Sequence, residues 1–148
     1  MATELTHFIG GQHVKGTSGR FADVFNPATG EAEKKVPLAN AAELRAAVEN
    51  AKAAQPGWAA QNPQKRARVM MKFVELLHRD MDKLAEALSR EHGKTIPDAK
   101  GDVIRGLEVA EFCVGAPHLL KGEFTESAGP GIDMYSMRQP VGVAAGIT

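Results

Sequence analysis

Arg105 is the residue whose type and neighbours most directly invite chemistry. On a helix turning about 100° per residue, Val103, Leu107, Ala110 and Val114 gather on one side, while Val109, Phe112 and Cys113 fall on another, with Arg105 close to Phe112. A helix that is apolar on two sides is expected to be buried on both. A guanidinium beside an apolar flank then needs an anion, because an unpaired buried charge is costly. Glu108, one turn away, can supply that anion from within the chain. The other reading is that Arg105 holds the carboxylate of a ligand, a task suited to its bidentate geometry.

The remaining reactive residue types argue for less. Cys113 sits among apolar residues of the same expected helix and reads as a small core residue, because a nucleophile needs access and a lowered pKa. His7, His13, His78, His92 and His118 show no HxxxH or HExxH spacing, so no metal site is expected. Gly93-Lys94-Thr95 has the end of a phosphate loop, but Leu88 stands where the first Gly of GxxxxGK[ST] is required. The stretch therefore reads as a helix end followed by a polar turn. Gly142 and Gly146 do not make GxGxxG, and no Ser-His-Asp arrangement emerges, so no catalytic residue is assigned.

The elements that must position these side chains follow from turn and cap chemistry. His7–Ile9 and Gln12–Val14 flank Gly10-Gly11 and read as a β-hairpin, since glycine supplies the positive φ of a tight turn. Phe21–Phe25 and Glu31–Val36 flank the turn Asn26-Pro27-Ala28-Thr29-Gly30, so the start of the chain reads as short antiparallel strands. Asn40 followed by Glu43 is a capping-box pattern. It opens a helix striped by Leu44, Ala47, Val48, Ala51 and Ala54 that is expected to end at Pro56-Gly57. Asn62-Pro63 opens the next helix, with a break near Asp80–Asp82 and an end at Gly93. The polar faces of these helices alternate acids and bases and read as solvated surface. A longer helix is expected from about Pro97 to Leu120, weakened by its glycines. Gly122 and the Gly129-Pro130-Gly131 cluster close the helical part, and Ile132–Gln139 reads as a strand.

Val141–Ile147 follows Gln139-Pro140 and reads as a buried strand. It is apolar or Gly on both faces, as in a parallel sheet. Parallel partners are joined by crossovers of about a dozen residues or more. The chain is therefore expected to be the front part of a larger α/β protein. The alternative is an antiparallel strand closing a small α+β domain.

Composition removes several function classes. The 148 residues carry 18 Lys+Arg and 18 Asp+Glu, a balance with no electrostatic footprint for nucleic acid. The longest apolar run, Val141–Ile147, is far below the roughly 18 residues of a membrane span. The start, Met1-Ala2-Thr3-Glu4-Leu5, has neither the basic nor the apolar region of a signal peptide. The single cysteine cannot form an internal disulfide, which fits a reducing compartment, and a cytoplasmic location is expected.

Four stretches together resemble the N-terminal part of the NAD-dependent aldehyde dehydrogenase superfamily. They are Phe8-Ile9-Gly10-Gly11, Asn26-Pro27-Ala28-Thr29-Gly30-Glu31, Glu91-His92-Gly93-Lys94-Thr95 and Arg138-Gln139-Pro140-Val141-Gly142-Val143. Each alone is weak, but their order and spacing run across nearly the whole chain. Pro117–Glu123 and Gly131–Pro140 further resemble the CoA-acylating methylmalonate-semialdehyde dehydrogenases. That family oxidises malonate or methylmalonate semialdehyde with NAD, loses carbon dioxide and passes the acyl group to coenzyme A.

The resemblance implies an α/β fold in three parts. Residues 1–131 would form the N-terminal strands and helical layer of the cofactor-binding domain. Residues 132–139 would be an oligomerisation-arm strand for a dimer or tetramer, and residues 140–148 the truncated first strand of the dinucleotide-binding sheet. It also implies that Arg105 binds the substrate carboxylate and that Ile147 and Thr148 make the first cofactor contacts, at the kind of strand end where open α/β sheets bind ligands. The catalytic Cys and general-base Glu of the family would lie further along. Cys113 does not match the nucleophile's motif, so the chain alone is expected to be inert. A non-acylating semialdehyde dehydrogenase, such as one acting on succinate semialdehyde, and a stand-alone helical interaction module are the competing readings.

Overall fold

The computed structural model describes residues 3–147. Short strands come first: β1 (Thr3–Glu4), β2 (His7–Ile9), β3 (Gln12–Val14), β4 (Phe21–Phe25) and β5 (Ala32–Pro37). β2 and β3 form the expected hairpin, with His7 opposite Val14 and Gly10 and Gly11 at φ 60° and 77°. β4 and β5 pair antiparallel around a turn that Asn26 organises. Its side-chain oxygen accepts from the Ala28 N–H at 2.9 Å, its amide donates to Glu33 at 2.9 Å, and its carbonyl accepts from the Gly30 N–H at 2.7 Å. The strands are not all antiparallel as expected: β1 adds parallel to β5, with Thr3 opposite Lys34. Two residues carry no alternation from which a strand could be read.

Four long helices and a short one follow: α1 (Ala41–Ala59), α2 (Pro63–Arg79), α3 (Met81–His92), α4 (Ile96–Val114) and α5 (Ala116–Leu119). Asn40 caps α1 by accepting from the N–H groups of Ala42 and Glu43, each at 2.9 Å, and Glu43 reaches back to the Asn40 N–H at 2.9 Å. α1 runs through Pro56 rather than ending there. The proline lacks one donor near the helix end, and the ladder resumes with Ala60 N–H to the Pro56 carbonyl at 3.0 Å. Asn62 caps α2 by accepting from Gln64 N–H at 2.8 Å. Asp80 marks the break between α2 and α3, and Gly93 ends α3 at φ 84°. The expected single helix from Pro97 to Leu120 is two. α4 stops at Val114, because Pro117 has no N–H with which to continue the ladder, and α5 restarts in its first turn.

The helical layer packs through small residues. α4 lies against both α2 and α3, and the buried apolar residues are Ala67, Ala85, Ala99, Leu107 and Ala110. Alanines at these crossings let the backbones approach closely. Leu107 and Ala110 lie on one of the two sides of α4 that the wheel marks as apolar.

β6 (Phe124–Gly129) and β7 (Ile132–Tyr135) form a second hairpin. The expected strand over 132–139 is thus shorter, and Gly129-Pro130-Gly131 is its turn rather than the end of the helical part. Ser127 takes φ 53° at an irregularity in the ladder, where the Asp133 carboxylate accepts its N–H at 2.9 Å. Residues 136–147 form no strand. Of the strand expected over 140–148, residues 140–147 form none, no other described segment pairing with them, and Thr148 lies outside the described residues. A strand's backbone groups require a partner, and here Val141 and Ile147 are fully exposed.

Candidate functional site

The connection between α3 and α4 is built around Lys94. Ser89 on α3 donates its hydroxyl to the Lys94 carbonyl at 2.7 Å, which fixes the backbone just beyond Gly93. The Lys94 side chain then runs along α4, and only 14% of it is exposed. Its ammonium meets Asp98 at 2.9 Å and also bonds Asp102. A cation at a helix N-terminus opposes the helix dipole, so the two carboxylates are what make this placement tolerable. The hydrogen bond to Asp102, then that to Asp98, raises the Lys94 pKa above its ordinary 10.5. In return, the Lys94 hydrogen bond holds Asp102 below its ordinary 3.8.

Arg105 joins this array one turn further along. Its Nη1 donates to Asp102 Oδ1 at 2.7 Å, so the intrachain anion is Asp102 rather than the expected Glu108. Asp102 precedes Arg105 by three residues, a spacing that places both on one helix face. Among the described residues this is the only hydrogen bond Arg105 makes. Its side chain is 77% exposed, which leaves the other guanidinium donors open. Around it lie Val109, 64% exposed, and Phe112, 67% exposed. The expected burial of α4 on both sides therefore holds only for the Leu107 side. The Arg105 face is an uncovered apolar surface with a cation in it.

Cys113 is half-buried and free. It lines a cavity of 180 Å³ with Trp58, Arg66, Met70, Pro117 and Leu120 among others, and Arg105 is not part of that lining. Among the described residues no three His, Cys, Asp or Glu side chains are grouped to hold a metal. Among the described residues no helix is long and apolar enough to cross a membrane. Of the expected cofactor contacts, Thr148 lies outside the described residues and Ile147 is fully exposed in a segment with no strand. The described residues around Ile147 do not by themselves form a cradle for a dinucleotide. Sequence reasoning missed Lys94, although Lys94, Asp98 and Asp102 recur at helical spacing, a signal open to inspection.

Short N-terminal strands, a helical layer with one uncovered face and a projecting hairpin define an α/β arrangement found in dehydrogenases of aldehydes. The chain belongs to the aldehyde dehydrogenase family, whose sequence profile matches residues 13–148. It is 48% identical over 144 residues to a malonate-semialdehyde dehydrogenase of Pseudomonas aeruginosa, covering 97% of this chain and 29% of that protein. It is 46% identical over 147 residues to an acylating, mitochondrial methylmalonate-semialdehyde dehydrogenase of Arabidopsis thaliana, covering 99% and 24%.

Among solved structures it resembles a provisionally named methylmalonate-semialdehyde dehydrogenase of Sinorhizobium meliloti 1021, complexed with NAD. There the TM-score is 0.92 and the identity 70%, over 96% of this chain and 29% of that one. A methylmalonate-semialdehyde dehydrogenase of Oceanimonas doudoroffii gives a TM-score of 0.89 at 45% identity, over 95% and 28%. The chain thus spans less than a third of the length of these relatives.

Proposed function

We propose that this chain serves the NAD-dependent, CoA-acylating oxidation of malonate or methylmalonate semialdehyde, as the N-terminal segment of the dehydrogenase. Arg105 is the residue that receives the substrate carboxylate. The observation that carries this reading is the Arg105 guanidinium itself: one N–H is engaged by Asp102 and the rest are open on an uncovered apolar face. A short semialdehyde acid offers a carboxylate for the cation and a small carbon chain for the apolar flank. The names of the relatives at 48% and 46% identity support the same substrates.

NAD, when bound, accepts hydride from the substrate, and coenzyme A takes the acyl group. Ile147 and Thr148 are proposed as early cofactor contacts, on the family resemblance alone. In this division of labour Arg105 orients the substrate and does no bond-breaking. The cysteine and glutamate chemistry of the family is assigned to residues other than those of this chain, which by itself is inert. The exposed Phe124, Ile132, Met134 and Tyr135 on the β6–β7 hairpin support a role in assembly to a dimer or tetramer. The free cysteine suits a reducing compartment such as the cytoplasm.

The test uses the full-length enzyme. Malonate semialdehyde should yield acetyl-CoA, and free-acid product without a need for coenzyme A would overturn the acylating assignment. Arg105→Leu should raise KM for malonate semialdehyde by about tenfold or more, the scale of a lost charged hydrogen bond, with a much smaller change for propanal. Equal effects on both aldehydes would remove the carboxylate role.

A further inference from the structure

The Asp102 carboxylate bridges two cations. Its Oδ1 accepts from Arg105 Nη1 at 2.7 Å, and its Oδ2 accepts from Lys94 Nζ. An Asp three residues before an Arg on a helix would otherwise be free to offer both oxygens to the guanidinium, in the fork that carboxylates and Arg prefer. That fork is the one an incoming carboxylate would need. Lys94 also belongs to the backbone joint rather than to a mobile surface. Its carbonyl is held by Ser89, its ammonium is tied to Asp98 as well, and it is the least exposed of the charged groups in the array.

We infer that Lys94 is a positioning residue for the substrate carboxylate: by occupying Oδ2 of Asp102 it limits Asp102 to a single bond with Arg105 and keeps a guanidinium edge open for the ligand. Asp102 aims the guanidinium through Oδ1, and Lys94 stops it from taking a second guanidinium N–H through Oδ2. The ammonium also offsets the repulsion between the Asp102 charge and an arriving anion. This deepens the proposed function and rests on Arg105 as the carboxylate-binding residue.

The inference makes a prediction that a merely structural role for Lys94 would not make. In the full-length dehydrogenase, Lys94→Met releases Oδ2. It should raise KM for malonate semialdehyde by about fivefold to tenfold, as one charged hydrogen bond is diverted, with kcat and the KM for propanal nearly unchanged. Adding Asp102→Asn to that variant removes the charge that would take a second Arg105 N–H while keeping an amide oxygen for the first, and should return KM toward the wild-type value. Were Lys94 only a tether between α3 and α4, the second substitution would leave the defect in place or deepen it.

A double variant no better than Lys94→Met, or a Lys94→Met effect equal on both aldehydes, overturns the inference. If Lys94→Met does not fold, Lys94→Gln serves in the same comparison. Arg105→Leu assayed alongside separates the two levels. A carboxylate-selective loss there without one in the Lys94 variants removes only the positioning role. No selective loss at Arg105 removes both.

Discussion

Pro27 and Gly93 touch across the joint between the N-terminal strands and the helical layer: a β-carbon at Gly93 would stand 2.9 Å from Cγ of Pro27 and 3.2 Å from its Cβ. The turn after β4 is thereby seated against the end of α3. Lys34 on β5 and Glu91 on α3 close an ion pair at 2.8 Å in the same joint. Two stretches distant in sequence, Asn26–Gly30 and Glu91–Thr95, thus meet in space. The seat also supports the turn from which Lys94 reaches Asp102.

Gly93→Ala should therefore destabilise the protein. Gly93 holds φ 84°, where an L side chain costs about 1–2 kcal/mol, and the added methyl must also push Pro27 aside. A fall in thermal midpoint is expected. Gly57→Ala is the contrasting case. Gly57 lies within α1 with nothing within 4 Å of an added β-carbon, so the gain in helix propensity, at most about 1 kcal/mol, should raise the midpoint. Equal responses at the two glycines would contradict the assigned joint.

The capping box of α1 predicts a defined acid response. The Asn40 N–H, then the Thr17 N–H, hold the Glu43 carboxylate below its ordinary 4.5. Glu43 accepts the Thr17 N–H at 2.5 Å. A carboxylate whose folded pKa is depressed contributes stability above its unfolded value and loses it as pH falls through the folded one. The stability difference between wild type and Glu43→Gln should therefore be constant above about pH 5.5 and shrink below about 4.5. Asn40→Ala, which removes the cap itself, should cost about 1 kcal/mol at neutral pH. Denaturant midpoints over this range measure both effects.

The elements that were legible in the sequence are those fixed by neighbouring residues. Asn40 with Glu43, Asn62 with Pro63, and Gly10-Gly11 each satisfy their own backbone groups locally, so residue type alone places them. What escaped depends on distant partners or on competition. β1 forms because β5 offers an edge, and α1 passes Pro56 because one missing bond near a helix end is cheap. β6 is held by its pairing with β7 rather than by any clear alternation of its own. At the candidate site, the apolar flank singles out Arg105, but its intrachain anion is Asp102 rather than the expected Glu108. The reason is that Lys94, arriving from outside the helix, fixes Asp102 on the Arg105 edge.

The alkaline limit follows from that same array. The Lys94 pKa is raised, first by the Asp102 hydrogen bond and then by that of Asp98. A lysine with a raised folded pKa contributes stability that is complete below its ordinary value of 10.5 and is lost as pH rises through the folded value. Lys94→Met should be less stable than wild type at neutral pH, and the gap should narrow as pH rises beyond the ordinary lysine value of 10.5. A gap that persists unchanged at high pH would mean that the lysine stem, not its charge, is what holds the joint.

The uncovered faces give a prediction for the isolated 148 residues. Few apolar side chains among the described residues are buried: Pro37 on β5, Leu107 on α4 and four alanines in the helical layer. Against that small core, Val109 and Phe112 are 64% and 67% exposed on the outer face of α4. Contiguous apolar surface of this kind drives association. The isolated chain should therefore sediment as more than a monomer and bind a hydrophobic dye. Two sources compete: the α4 face, and the β6–β7 hairpin with Phe124, Ile132 and Tyr135 also exposed. Val109→Ser with Phe112→Ser should reduce dye binding and leave helical circular dichroism intact, because neither side chain belongs to the buried face. Phe124→Ser with Tyr135→Ser should reduce self-association more than dye binding, since a hairpin offers backbone edges as well as side chains to a partner. A monomeric, cooperative melt of the unmodified chain would refute both arms, for it would require these faces to be stable in water without cover.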